Sequence, residues 1–233
     1  SDVAQLDISS KAFVGRYRVD IGERNNIGLL VTDRSGDGYQ NTVTTIDGRQ
    51  QIGKSGTFSY QVAHSSLKNP ESIQNDFGVD SSQTDQAYSI SYNHSTRDYG
   101  LRASYDNYGE EFRADLGFVG RTGYERAVVG GNYNWFPTKS KWTRYGVFGD
   151  WDKTYNSDGL MLEEEYEIHG SVEGPMQFMT NFGVLTRDTY WADQIFQEDQ
   201  AMIFARFDPL DNLRVWSFVR EGDQVDYSND RLG

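Results

Sequence analysis

At 233 residues the chain can form one large β domain or two small ones. Its 35 acidic against 22 basic residues give a formal charge of −13, which disfavours nucleic-acid binding, where clustered Lys and Arg supply most of the affinity. Cysteine is absent, which excludes disulfides and thiolate chemistry, and no apolar run approaches the roughly 18 residues of a transmembrane helix.

Aromatic residues make up 14% of the chain and proline is scarce, a balance that favours strands. Mean hydropathy is −0.71, but that index is blind to membrane strands, which show lipid only every second side chain. Residues 13–33, FVGRYRVDIGERNNIGLLVTD, open the pattern. Phe13, Gly15, Tyr17, Val19 and Ile21 alternate with Val14, Arg16, Arg18 and Asp20, and after a short break Ile27, Leu29 and Val31 alternate again. This is a hairpin with one greasy and one charged side.

The same period-2 test continued along the chain predicts about twelve strands: 11–21, 26–34, 41–52, 56–65, 86–94, 98–106, 124–135, 142–151, 160–172, 177–187, 200–207 and 212–219. No stretch has helical periodicity. The odd-numbered connections, from GERN to DPLD, are six residues or fewer. The even-numbered ones (35–40, 66–85, 107–123, 152–159 and 188–199) equal or exceed the longest of these. Short turns at one end and long loops at the other are the layout of an up-and-down outer-membrane barrel. The expected fold is therefore all-β: an antiparallel up-and-down transmembrane β-barrel, or a segment of a larger one, filling residues 1–233 as one domain.

In 160–172, Leu160, Leu162, Tyr166, Ile168 and Val172 oppose Glu163, Glu165, Glu167 and His169; in 124–135, Ala127, Val129, Tyr133 and Trp135 oppose Gly130, Asn132 and Asn134. Trp135, Phe136, Trp142 and Phe178 gather beside short turns, and Tyr88, Tyr105, Trp151, Tyr190 and Trp191 toward the loops, as two interfacial belts would require. Strand 41–52 is the weak member: Gln50 on its apolar face must lie near the turn or face protein.

Three phrases carry a family resemblance: VGRYRVDIGERNNIGLLVTDR (14–34), TTIDGRQQIGKSGTFSYQVAHSS (44–66) and FRADLGFVGRTGYERAVVGGNYNWFP (112–137), together about half the chain. They resemble bacterial envelope proteins of unknown function in which an N-terminal carbohydrate-binding module of the family-nine type precedes a large outer-membrane-like β-barrel. The resemblance implies that this chain is part of the barrel domain and a segment of a longer protein, with glycan binding or uptake as an associated role.

On the barrel reading, Arg16, Arg18, Asp47, Arg49, Arg102, Glu163, Glu165 and Glu167 line the lumen. Residues 107–123 break the alternation and read either as a plug, anchored by Phe112, Leu116 and Phe118 with Arg121 nearby, or as an undetected strand pair. Asp33, Ser35 and Asp37 match the opening of a calcium loop, but Thr44 stands where the bidentate Glu belongs, so a polar turn is the simpler reading and no other cofactor is expected. Asp150, Asp152, Asn156 and Asp158 form a weaker candidate of the same kind. His64, His94 and His169 have no metal-type spacing, and no G-x-S-x-G elbow occurs.

The glutamate ladder permits paired-carboxylate glycosidase chemistry, since alternate strand residues lie about 6.5 Å apart. A solvated wall explains it more simply. The expected protein is a non-enzymatic outer-membrane channel, transport component or scaffold, with membrane lipid and a small solute or glycan as partners. The competing expectation is a soluble periplasmic or secreted β protein that binds or hydrolyses polysaccharide.

Overall fold

The computed structural model describes residues 10–233. It is 70% strand and 3% helix. Twelve strands run antiparallel and up-and-down in one sheet whose order is the chain order: β1 (Lys11–Ile21), β2 (Asn25–Gly36), β3 (Tyr39–Ile52), β4 (Gly56–Lys68), β5 (Ser82–Ser95), β6 (Tyr99–Tyr108), β7 (Tyr124–Trp135), β8 (Arg144–Asn156), β9 (Met161–Glu173), β10 (Met179–Trp191), β11 (Gln194–Leu210) and β12 (Leu213–Gly222). A two-stranded hairpin, β13 (Val225–Asp226) and β14 (Arg231–Leu232), follows.

Three expectations are corrected. First, the sheet is not closed into a barrel: among the described residues β1 is bonded only to β2 and β12 only to β11, leaving a free edge at each end of the strand order. Alternation assigns the two faces of a strand but carries no information about which edges meet, which depends on strand number and stagger. Second, a helix exists: α1 (Glu71–Phe77) sits in the 69–81 connection and ends on Gly78 at φ 64°. At seven residues it is too short for its period to register in the sequence.

Third, loop length does not sort by parity. Asp37 and Gly38 alone join β2 to β3, and Ala192 and Asp193 alone join β10 to β11; all four have positive φ, as a type I′ hairpin turn requires. Only 69–81 and 109–123 are long, and the odd-numbered connection 136–143 exceeds the other even-numbered ones. What read as loop at 188–199 is the polar continuation of β10 and β11.

The chain divides into two compact units. The first holds the residues up to Ser91 with Asp106–Glu125, and the second Tyr92–Tyr105 with Arg126–Gly233. In the first, Phe13, Tyr17, Ile21, Leu29, Ile46, Val62 and Ile90 are exposed on one face, Tyr17 at 70%. In the second, Leu101, Val129, Tyr133, Trp135, Tyr166, Ile168, Phe182, Val184, Ile195, Ile203 and Val219 are exposed likewise. Gln50 lies opposite Phe58, close to the turn.

The opposite faces are where burial occurs, and they are polar. Among the described residues twelve polar side chains are buried against eight apolar ones. That inverts the usual order of a water-soluble domain, whose buried positions are mostly aliphatic and aromatic. Among the described residues no helix is long and apolar enough to cross a membrane.

Candidate functional site

The inner face of the first unit is built by the charged phase of β1 and β3. Arg16 forms a two-pronged ion pair with Asp47, Nη1 to Oδ2 at 2.6 Å and Nη2 to Oδ1 at 2.7 Å. The pair reaches across β2 at Gly28, where a Cβ would fall 2.7 Å from the guanidinium. Arg18 pairs with Asp20 at 3.0 Å. Arg49 lies on the same face and, among the described residues, has no carboxylate partner.

Residues 109–123 contain no strand, so the extra strand pair is absent and the segment lies as an irregular strap on this face. Phe112 is its anchor: 6% exposed, it packs with Val43, Ala63 and Ala87, flanked by Tyr108, Ala114 and Val119. Main-chain groups of the strap are satisfied by strand side chains. The buried Asn41 donates from Nδ2 to the Arg113 carbonyl and accepts from the Asp115 N–H, each at 3.0 Å. Asp85 accepts from the Glu111 N–H at 2.9 Å.

Asp115 completes the docking. It accepts from the Tyr39 hydroxyl at 2.6 Å and from Arg113 Nε at 2.8 Å, with Arg34 at 3.4 Å. Burial raises the Asp115 pKa, but these hydrogen bonds and positive charges outweigh it and hold the carboxyl below the usual carboxylate range. Of the other expected plug residues, Leu116 is half-exposed, Phe118 is 96% exposed and anchors nothing, and Arg121 lies over the Tyr124 ring. A cleft of about 280 Å³ remains between strap and sheet.

The inner face of the second unit is a ladder of ion pairs. Arg102 pairs with Asp150, and Arg126 with Asp152 at 3.2 Å. Arg187 reaches Glu198 at 2.8 Å, Glu165 at 3.5 Å and Glu163 at 4.0 Å. Glu167 contacts His169 at 2.9 Å, and that imidazole stacks on Phe148. Asp150, Asp152 and Glu165 bring carboxylate oxygens within 4.8 Å of one another. Arg102 and Arg126 pair with two of the three and Arg187 with the third, so each of these carboxylates has a guanidinium partner.

The expected wall residues are thus gathered in two sets, with Arg16, Arg18, Asp47 and Arg49 in one unit and Arg102, Glu163, Glu165 and Glu167 in the other. The calcium-loop residues Asp33, Ser35 and Asp37 stand at the end of β2 and its turn, where Asp33 Oδ2 accepts from Gln40 Nε2 and Thr42 Oγ1, both at 2.7 Å. Sequence reasoning missed Arg126, Arg187 and Glu198. The first two occupy polar positions of their strands and were legible; Glu198, wholly buried, lay in apparent loop.

Glu198 also ties down the end of the chain. It accepts from the Val225 N–H at 2.9 Å and the Thr189 hydroxyl at 3.0 Å. Val225 is buried, and Trp191 donates to Asp230 at 2.7 Å while meeting Tyr227 edge-on.

Comparison with known protein families, curated proteins and solved structures returns no match.

Proposed function

We propose that this protein is a wall segment of an outer-membrane β-barrel whose inner face contacts polar solute and whose strap narrows the passage, without catalysis. One observation carries the reading: the outward face has no Asp, Glu, Lys or Arg side chain for about eight residues from each short turn, or roughly 26 Å at about 3.3 Å per residue. In the first unit it runs uncharged from Ile21 to Phe13, Ile27 to Val31 and Ile52 to Thr42, and Lys11, Asp33 and Lys68 lie beyond. In the second it runs uncharged from Trp135 to Ala127, Val172 to Tyr166 and Thr180 to Thr186, and Lys153, Glu164 and Asp188 lie beyond. A membrane barrel requires an apolar band of about 25 Å.

Facing water, such a band is a liability. Half-exposed aliphatic and aromatic side chains each forgo about 1 kcal/mol of transfer free energy, so the roughly fifteen largest forgo on the order of 15 kcal/mol. Patches of that extent mark membrane or partner contact. The free edges of β1 and β12 fit a wall completed by further strands. A soluble polysaccharide hydrolase built on Glu163 and Glu165 is served less well, because Arg187 clamps both carboxylates.

The test is reconstitution into vesicles with brominated lipids. Single-tryptophan variants retaining Trp135 or Trp151 should both be quenched most strongly by bromines near the headgroup end of the acyl chains, one at each interface, and the folded protein should show heat-modifiable gel mobility. Full solubility without detergent, with no quenching, sinks the proposal.

A further inference from the structure

We infer that a polar cleft on the inner face of the second unit binds a neutral oligosaccharide. The inference rests on the proposed function only in assigning that face to solute. The cleft encloses about 600 Å³, and small-ligand sites span about 300 to about 1,000 Å³. Four carboxamides line it: Asn93 from β5, Asn132 and Asn134 from β7, and Asn181 from β10. Among the described residues none of these four side chains has a hydrogen-bond partner within the protein. Each therefore offers two donors and an acceptor to whatever enters.

A sugar hydroxyl both donates and accepts, so a cluster of uncharged groups that do the same is its natural complement. The cationic lining is already paired. Arg102 is paired with Asp150 and Arg144 with Glu173, and Glu167 is held by His169, so no cation in the lining is left without a carboxylate partner to draw an anionic ligand. Arg144 Nε is one of two buried polar side-chain atoms without a partner among the described residues, leaving a spare donor in the same wall. Phe148 adds an apolar plate, held by stacking on His169 at 4.8 Å and 7°, against which the C–H face of a pyranose can lie. Gly100 keeps the site open, because a Cβ there would collide with the Asn132 carboxamide.

The full chain should be titrated with maltohexaose, cellohexaose and xylohexaose by calorimetry, with hexagalacturonate as an anionic control of equal length. At least one neutral hexamer should bind with Kd of about 1 mM or tighter. Asn132→Ala combined with Asn134→Ala should weaken it at least about tenfold, or about 1.4 kcal/mol. Phe148→Leu should weaken it as well, and the exposed Asn93→Ala provides a milder variant should the double one misfold. Absence of binding by all three, unchanged affinity in the variants, or equal binding of hexagalacturonate overturns the inference. Should the protein prove soluble, the same titration runs in buffer, so loss of the membrane reading and loss of the sugar site register separately.

Discussion

Trp151 Nε1 donates to Glu164 Oε1 at 3.0 Å on the outward face of the second unit. The Tyr166 hydroxyl donates to the same oxygen at 2.9 Å, and Lys153 Nζ sits 2.9 Å from the other. Register sets the arrangement: Lys153, Glu164 and Asp188 share one row across β8, β9 and β10, and Trp151, Tyr166 and Thr186 occupy the next. Aromatic rings with polar tips lie directly below a row of charge, the order expected at a membrane–water boundary.

On the proposed reading that row marks a boundary, and depth below it is measurable. Ile168→Arg, two residues from Tyr166 into the apolar stretch, should destabilise the vesicle-reconstituted protein by about 2 to 4 kcal/mol, the usual cost of a lipid-facing cation near the midplane. Glu164→Ala, at the charged row, should cost much less. Urea titration in vesicles ranks the two, and an Ile168→Arg variant as stable as the parent contradicts a lipid-facing position.

Phe112 and Phe118, six positions apart in the strap, should behave oppositely. Phe112→Ala removes the buried ring that packs with Val43, Ala63 and Ala87 and should weaken docking by about 3 kcal/mol. Phe118→Ala should change nothing in the fold, since that ring is almost wholly exposed. Hydrogen exchange over 109–123 distinguishes them, with loss of protection in the first variant alone.

Docking of the strap should survive mild acid. Asp115 titrates below the ordinary carboxylate range when docked, so its contribution is complete above the free value near pH 3.9 and fades only as pH falls through the docked value. Protease sensitivity of the strap should stay flat from about pH 7 to about pH 5 and rise below about pH 4. Asp115→Asn should reduce that acid-induced rise, because the carboxyl that joins Tyr39, Arg113 and Arg34 is no longer there to protonate.

Two glycines should differ in tolerance. At Gly149 a Cβ would strike the Glu167 carbonyl oxygen in the main chain of β9, which cannot move without breaking the ladder. Gly149→Ala should cost about 1 to 3 kcal/mol or more. At Gly28 the nearest atoms are the tips of Arg16 and Asp47, which can swing aside. Gly28→Ala should cost no more than a half-exposed ion pair, about 1 kcal/mol or less, and add little to Asp47→Ala in a double-mutant cycle.

Strands with clean alternation could be read to within a few residues: Lys11–Ile21 and Tyr124–Trp135 match their predicted bounds. Where reading failed, the reason is local. The run DTYWADQIFQED looks like loop because its inward phase mixes Thr189 and Glu198 with the apolar Phe196. Its turn, Ala192–Asp193, lacks the Asn-Gly signature that marks such hairpins. The ion-pair partners across strands depend on register, which no single strand encodes. In the strap nothing periodic distinguishes Phe112 from Phe118; only its path over Asn41 and Ser65 turns one inward.

The bare margins of β1 and β12 have a bearing on how the polypeptide assembles. Each presents a row of amides with no mate among the described residues, and in hydrocarbon every such group costs several kcal/mol. On the proposed membrane reading, entry into the bilayer would have to coincide with capture of both margins by neighbouring strands. Produced alone, the twelve-stranded ribbon should stick margin to margin, giving species in detergent that lengthen with protein concentration.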